Sequence, residues 1–427
     1  MKKQLAGILA LMVSLTMAAC SNGEVSSGEA PANDTTSAAE FENETAANPD
    51  KETASEAETE TETETAAAET EPPAPAVQYA EAAAEDLEYS YDAELGGIRV
   101  TGYNGSEEAV RIPAELDGEP VTQVQINDEN SAYIEFVFPD GTSEIGEFMF
   151  YKCANLTSVV IPDSVTRIGG YAFRQCTSLT SITIPDSVKE IGEEAFRRCY
   201  GLTSINIPES VTAIDRGAFQ DCKNLAEINI PDSVTVIGAS AFGNCRSLTE
   251  LTIPDSVLEI GKRAFYGIGV TEFTLPDNGV RIYNGAFSDC NNLETVTIPD
   301  SVNFIFDTED NYWGEFEHNM YDTFAFCENL KEITIPNGVV TINTGTFQYC
   351  SKLTSVNIPE SLTAVASMAF VDCSSLRSLT LPDSVNEMQK NAFSECEALI
   401  VTYKGKEYGY ADFYPDLYNA VNGTNKS

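Results

Sequence analysis

Ten of the 11 cysteines recur at one position of a repeated sequence, and their spacing raises the question of thiol chemistry. Cysteines from Cys153 to Cys245 lie 23 residues apart, and the same step returns from Cys327 to Cys396. Cysteines of exported proteins usually form disulfides. One repeat, however, has Ile268 at the equivalent position. Because a position that accepts isoleucine requires a small apolar side chain, we predict buried free thiols.

Metal binding and catalysis find little support in the residue types. The sequence has no C-x-x-C pair and a single histidine, His318, whereas zinc sites and histidine-dependent triads need several such groups. Neither G-x-S-x-G nor a phosphate-binding loop occurs. Paired carboxylates can hydrolyse glycosides, but 67 Asp and Glu residues make chance pairs unavoidable. We therefore predict no catalytic residue, no metal site and no cofactor, and a protein that is not an enzyme.

The cysteine belongs to a unit that reads C-x-x-L-x-x-I-x-I-P-D-S-V-x-x-I-G-x-x-A-F-x-x. In one copy Leu179, Ile182 and Ile184 end in strict alternation, which is typical of a short strand with one buried face. Pro185 ends that strand, and Gly192 is expected to allow a tight bend. One unit cannot cover its own apolar face, whereas stacked units can. The sequence predicts a repeat solenoid with a continuous parallel β-sheet, mostly β with short helical turns.

The unit, with its "IPDSV" and "IGxxAF" strings, resembles the BspA-type leucine-rich repeat of bacterial surface proteins over residues 131–400. Residues 87–130, which contain "IRVTGYNGSEEAVRIPAELDGEPVTQV", are similar to the module that precedes the repeats in that family. Residues 401–427 resemble its closing cap, and Tyr408, Tyr410, Phe413 and Tyr414 are expected to cover the last unit. The resemblance implies a curved leucine-rich-repeat horseshoe on the outside of a cell, used in adhesion or recognition. It names no ligand.

The first residues have the layout of a secretory signal. Lys2 and Lys3 precede a short apolar run, and the ending Met17-Ala18-Ala19-Cys20 resembles a bacterial lipobox. We expect a lipoprotein signal peptide at 1–19 and lipidation of Cys20; plain secretion and an unprocessed membrane anchor are the alternatives. Residues 20–86 form an acidic Glu/Thr/Ala/Pro-rich segment, which we expect to be a disordered tether. The expected location is the extracellular face of the bacterial membrane or envelope.

The charge of the chain limits its partners. A formal net charge of −43 repels phosphate backbones and anionic lipid headgroups, so nucleic acid is an unfavourable partner. Contact with a membrane is therefore expected only through the N-terminal lipid. An extracellular protein or glycan, including one from a host, is the expected ligand.

Two groups of residues are candidate binding sites. The side chains that flank the middle isoleucine of each strand must point outward, and most of them are small and polar. Glutamates occupy the first of these outward positions in four units, at Glu227, Glu250, Glu272 and Glu332, and the first three form an acidic stripe in mid-array that could meet a basic partner or a cation. An insertion near 306–322 contains Tyr312, Trp313 and Phe316, which either form a protruding contact site or fold down over the interrupted core.

Two functions are consistent with these features. The first is a lipid-anchored surface protein that binds a protein or glycan and mediates adhesion, which the stripe and Trp313 favour. The alternative is a structural spacer or coat component without a specific ligand, which the uniform polarity of the remaining outward positions favours.

Overall fold

The structure is a computed structural model that describes residues 81–304 and 323–423, except Leu95, Glu107 and residues 127–134. Cys20, the signal peptide and most of the expected tether lie outside the described residues, as do Tyr312, Trp313 and Phe316. Within the described ranges, the chain is a β-solenoid whose successive 23-residue units are successive turns. The predicted repeat solenoid is therefore confirmed.

The first strands begin the stack. After a 3₁₀ turn at Ala84–Asp86, strand Leu87–Asp92 pairs antiparallel with Gly97–Tyr103. Gly97–Tyr103 then pairs in parallel with Glu119–Val124, which also forms a hairpin with Glu115–Leu116. Since Glu119–Val124 continues in parallel to the next turn, this module shares its sheet with the repeats.

Each turn contributes a first short strand, centred on the middle isoleucine, to what we call the front ladder. Neighbours pair in parallel and in register, as Ser204 does with Glu227. The ladder has four breaks: residues 180–184 and 249–253 form no strand, and Thr295–Thr297 and Ser355–Asn357 do not pair with the strand of the following turn. Its strands are Ala109–Arg111, Glu135–Val137, Ser158–Val160, Ser204–Asn206, Glu227–Asn229, Glu272–Thr274, Thr295–Thr297, Glu332–Thr334, Ser355–Asn357, Ser378–Leu381 and Ile400–Tyr403.

A second parallel ladder, which the sequence did not predict, runs along the isoleucine that precedes the glycine. We call it the side ladder. It has two breaks, one after Glu190–Ile191 and one after Asn303–Phe304. Its two-residue strands in the repeats are Glu144–Ile145, Arg167–Ile168, Glu190–Ile191, Ala213–Ile214, Val236–Ile237, Glu259–Ile260, Arg281–Ile282, Asn303–Phe304, Thr341–Ile342, Ala364–Val365 and Glu387–Met388.

The glycine that follows the side-ladder strand serves the close approach of adjacent turns. A Cβ on Gly192 would lie 2.6 Å from the backbone nitrogen of Gly170 and 2.9 Å from the carbonyl carbon of Gly169. Gly192 also begins a hydrogen-bonded turn, as expected, because Ala195 N donates to Gly192 O at 3.2 Å. The left-handed backbone lies further along, at Glu194 with φ 52° and Arg198 with φ 62°.

The rest of each unit, from the glycine to the next cysteine, forms hydrogen-bonded turns, and we call it the turn segment. Its backbone N–H groups donate to the following unit, as Phe196 N does to Ala218 O at 2.8 Å.

Among the described residues, helical structure outside Ala84–Asp86 is confined to the C-terminus. It comprises a 3₁₀ turn at Tyr410–Asp412, a π-helical turn at Phe413–Leu417 and the α-helix Tyr418–Asn422.

The core is organised around one phenylalanine per turn. From Phe150 to Phe393 these rings stack face to face, with centroids 5.1–6.1 Å apart and planes within 25° of each other. The stack continues across the insertion, because Phe287 and Phe324 lie 5.9 Å apart although 37 residues separate them. The insertion therefore leaves the register of the core unchanged.

The cysteines line this core as thiols. All ten cysteines of the repeats are buried, and none forms a disulfide. Each thiol from Cys176 onward donates to the carbonyl of the phenylalanine in the preceding turn; Cys222 Sγ lies 3.1 Å from Phe196 O. Ile268 occupies the same buried position without this bond, so the position requires a buried apolar side chain of suitable size and does not require the hydrogen bond.

The serine of the repeat has a role between turns. Ser187 Oγ donates to the Val165 carbonyl of the preceding turn at 2.6 Å, and the serines of other units repeat the bond.

At the C-terminus, strand Ile400–Tyr403 forms a hairpin with Lys406–Tyr408. Phe413 packs on Phe393 with a centroid distance of 5.5 Å. Of the aromatic residues expected to cover the last turn, Tyr408 and Phe413 are buried, whereas Tyr410 and Tyr414 are exposed.

The buried thiols predict a loss of stability at alkaline pH. Burial raises the pKa of Cys222 well above the ordinary value and that of Cys350 to about 12. A group with a raised pKa in the folded state stabilises the fold fully below its unfolded pKa. That contribution disappears as the pH rises through the folded pKa. We expect the free energy of unfolding to fall between about pH 9 and 12, by up to about 1.4 kcal/mol per pH unit for each thiol.

Urea unfolding at a series of pH values, under reducing conditions, tests this expectation. Cys222→Val, which places an apolar side chain in the position that Ile268 fills elsewhere, should lower the alkaline slope relative to the wild type. Equal slopes for both proteins would contradict the assignment of a raised pKa to this thiol.

Candidate ligand-binding face

The front ladder presents the acidic stripe on an exposed surface. Glu227, Glu250 and Glu272 are exposed and come from three successive turns. The ladder pairs Glu227 with Ser204 and Glu272 with Thr295, which places the two glutamates at the same position of their turns. Adjacent turns are close, since the rings of Phe219, Phe242 and Phe265 lie 5.5 Å apart, so each carboxylate is within the field of the next.

Glu332 is separated from the other three glutamates. It is exposed and pairs with Ser355, but the turn of Thr295 stands between Glu272 and Glu332. Its neighbour Lys331 forms an ion pair with Glu294 at 2.5 Å. We therefore define the front acidic stripe as Glu227, Glu250 and Glu272.

No basic side chain among the described residues forms an ion pair with these three glutamates. Elsewhere on the surface, by contrast, several carboxylates have a cationic partner. Arg167 of the side ladder, for example, lies within 4 Å of Glu144, Glu147 and Glu190. The stripe thus retains its negative charge on a surface that offers no internal compensation.

The stripe borders a shallow groove of about 750 Å³ on the front face. Residues 249–253 lie in the groove and form no strand, although turns on both sides of them do. The next unit, which begins at Ile268, is one residue shorter than the others. It approaches its predecessor so closely that a Cβ on Gly269 would lie 2.1 Å from Arg246 O. The groove is lined by Thr249, Glu250, Leu251, Thr252, Ile253, Asp255, Thr271, Glu272, Phe273, Thr274, Leu275, Pro276, Thr295 and Thr297.

Sequence reasoning overlooked a charge network on the turn segments. Glu194 is only 3% exposed, and its carboxylate contacts Arg174 at 2.8 Å, Arg197 at 2.9 Å and Arg216 at 3.4 Å. These arginines come from three successive turns, so the carboxylate holds the turns together. The glutamate and the arginines lie close to the Ala-Phe pair of each unit, at variable positions that the repeat formula leaves unspecified.

Two neighbouring groups show how crowded with charge this region is. The pKa of Tyr171 is raised by burial and by the hydrogen bond that its hydroxyl donates to Glu193 at 2.7 Å. The pKa of Asp215 is raised by burial and then by the charges of Glu190 and Glu193. Both groups are partners within the stack, and neither faces the groove.

The described part of the chain contains neither a metal-ion cluster nor a membrane-spanning helix. Its histidine, cysteine, aspartate and glutamate side chains form no cluster suited to a metal ion. It also contains no helix of the length and hydropathy needed to cross a membrane.

A sequence model of the "BspA type Leucine rich repeat region" matches residues 129–249, 212–308 and 320–405, more than half of the chain. The chain belongs to this family. The matches fall on the turns that carry the phenylalanine stack, and the interval between 308 and 320 coincides with the insertion.

A solved structure agrees with the assignment. A leucine-rich repeat protein from Bacteroides ovatus is 28% identical, with a TM-score of 0.58; the match covers 74% of this chain and 86% of that one. A leucine-rich cell surface protein from Faecalibacterium prausnitzii is 30% identical, with a TM-score of 0.48, over 80% of this chain and 97% of that one. No curated protein matches this sequence.

Proposed function

We propose that this BspA-type solenoid is displayed on a bacterial surface and binds an extracellular protein through its front face. The family assignment and the likeness to a cell surface protein from Faecalibacterium prausnitzii support surface display. The regular core explains the architecture without any ligand. The function must therefore reside in exposed positions where one turn differs from the others.

The front acidic stripe carries the proposal. Three exposed carboxylates that form no ion pair with any described residue lie on successive turns beside a groove, and their mutual repulsion is relieved when a cationic partner binds. Residues 249–253 add backbone groups that no neighbouring strand uses. The partner that fits is a protein with a basic segment, because charge complementarity selects it and steers its approach.

The test is a capture experiment with the full chain as bait and the extracellular proteins of the bacterium or its host as prey. Bound proteins are identified by mass spectrometry, and the affinity of the strongest is measured at two salt concentrations. Replacing all three stripe glutamates, Glu227→Gln, Glu250→Gln and Glu272→Gln, should weaken binding at least ten-fold. It should also flatten the salt dependence, because the attraction is electrostatic.

A matched control keeps the net charge of that variant. Glu209→Gln, Glu360→Gln and Glu397→Gln together remove three exposed glutamates from positions outside the front ladder. This control should bind like the wild type. Equal losses in both triple variants would show a general charge effect, and no loss in either would favour a spacer without a front-face ligand.

Membrane attachment is a separate part of the proposal and rests on the lipobox-like Met17-Ala18-Ala19-Cys20. Cys20→Ala should abolish incorporation of a labelled fatty acid and shift the protein out of the washed membrane fraction, since the thiol at the lipobox position would be lost. Labelling of the Cys20→Ala protein, or a wild type that takes up no label, would refute lipidation at this residue.

A further inference from the structure

Aromatic rings gather on the exposed side of two adjacent turn segments, away from the front face. We call the group of Phe148, Tyr151, Lys152, Tyr171 and Arg174 the aromatic patch. The rings of Phe148 and Tyr171 are stacked with centroids 4.7 Å apart and planes within 1° of each other. The ring of Tyr151 meets that of Phe148 edge-on, with centroids 5.8 Å apart.

Neighbouring charges hold these rings in place. Lys152 Nζ lies 4.7 Å from the centre of the Tyr151 ring, and the Arg174 guanidinium lies 5.4 Å from that of Tyr171. Arg174 is fixed by Glu194, and the Tyr171 hydroxyl donates to Glu193. The patch is therefore rigid before any ligand arrives, which lowers the entropy cost of binding.

The position of Phe148 is not explained by the needs of the fold. Its ring is 41% exposed and lies outside the buried phenylalanine stack. Its backbone has φ 59°, a left-handed conformation that is unfavourable for a bulky residue. Other turns hold either glycine, as at Gly217, or a side chain of a different kind, as at Ser240 and Met368, at the same position with similar φ values. Because glycine at this position is compatible with the fold, folding does not require the exposed ring of Phe148.

We propose that the aromatic patch binds an uncharged glycan, with the apolar face of a sugar ring against Phe148. Flat aromatic surfaces with polar groups at their edge accept such a ring, because the sugar presents C–H groups on its face and hydroxyls around its rim. Lys152, exposed beside the rings, donates to the hydroxyls. The site lies on a different face from the front acidic stripe, so it goes beyond the proposed function.

The charge balance selects a neutral glycan over a sulfated one. Arg174 is already paired with Glu194, and two further carboxylates stand nearby, the exposed Glu147 and the half-buried Glu193. The whole chain carries a formal net charge of −43, which repels a polyanion. An uncharged sugar meets no such barrier.

The experiment applies the full-length protein to an array of uncharged glycans, with heparin fragments as the anionic comparison. The strongest uncharged ligand is then titrated by calorimetry against two variants. Phe148→Gly removes the ring and suits the left-handed backbone, so it should lower affinity at least ten-fold without lowering the melting temperature. Tyr349→Gly is the matched control. Its ring is 38% exposed, has φ 61° and stacks on Phe326 at 4.7 Å, but it lies at the other end of the array.

The expected result is binding of an uncharged glycan that Phe148→Gly loses and Tyr349→Gly retains. Three results would each overturn the proposal. These are binding of heparin fragments alone, an affinity that Phe148→Gly leaves unchanged, and no binding of any uncharged glycan on the array.

Discussion

The face-to-face stack of one phenylalanine per turn is the contact on which the other features of the fold depend. With rings 5.1–6.1 Å apart, adjacent turns must keep one register and approach closely. Gly192 is needed because the turns come too close for a side chain, and Ser187 finds the carbonyl of the preceding turn because the register is fixed. Each turn gains its stability from its two neighbours, as in other solenoids.

A core this regular leaves function to the residues that it does not use. The front acidic stripe and the aromatic patch differ in chemistry, and each occupies positions at which the residue type varies from turn to turn. Both keep groups exposed at some cost, through unrelieved charge repulsion in one and a left-handed backbone in the other. The fold tolerates these costs because the stabilising contacts between turns repeat along the array.

The sequence was sufficient for the features that repeat. The recurring residue types predict the period, the front strand, the buried thiols and the exposed glutamates. Ile268 was the one residue that indicated that the cysteines fill the core as apolar side chains and do not form disulfides. The sequence was insufficient for the side ladder, because pairs such as Glu190–Ile191 are too short to show alternation. The Glu194 network and the patch around Phe148 were missed because both occupy variable positions, whose neighbours are known only once the turns are stacked.

The central claim is that one uninterrupted core passes the insertion through the contact of Phe287 with Phe324. Hydrogen exchange of the native full-length protein, followed by mass spectrometry at increasing denaturant, tests it most directly. If the core is continuous, the buried amides of the turns on both sides of residues 305–322 should become exposed with one common denaturant midpoint. Two separate midpoints that divide the array at the insertion would contradict the account.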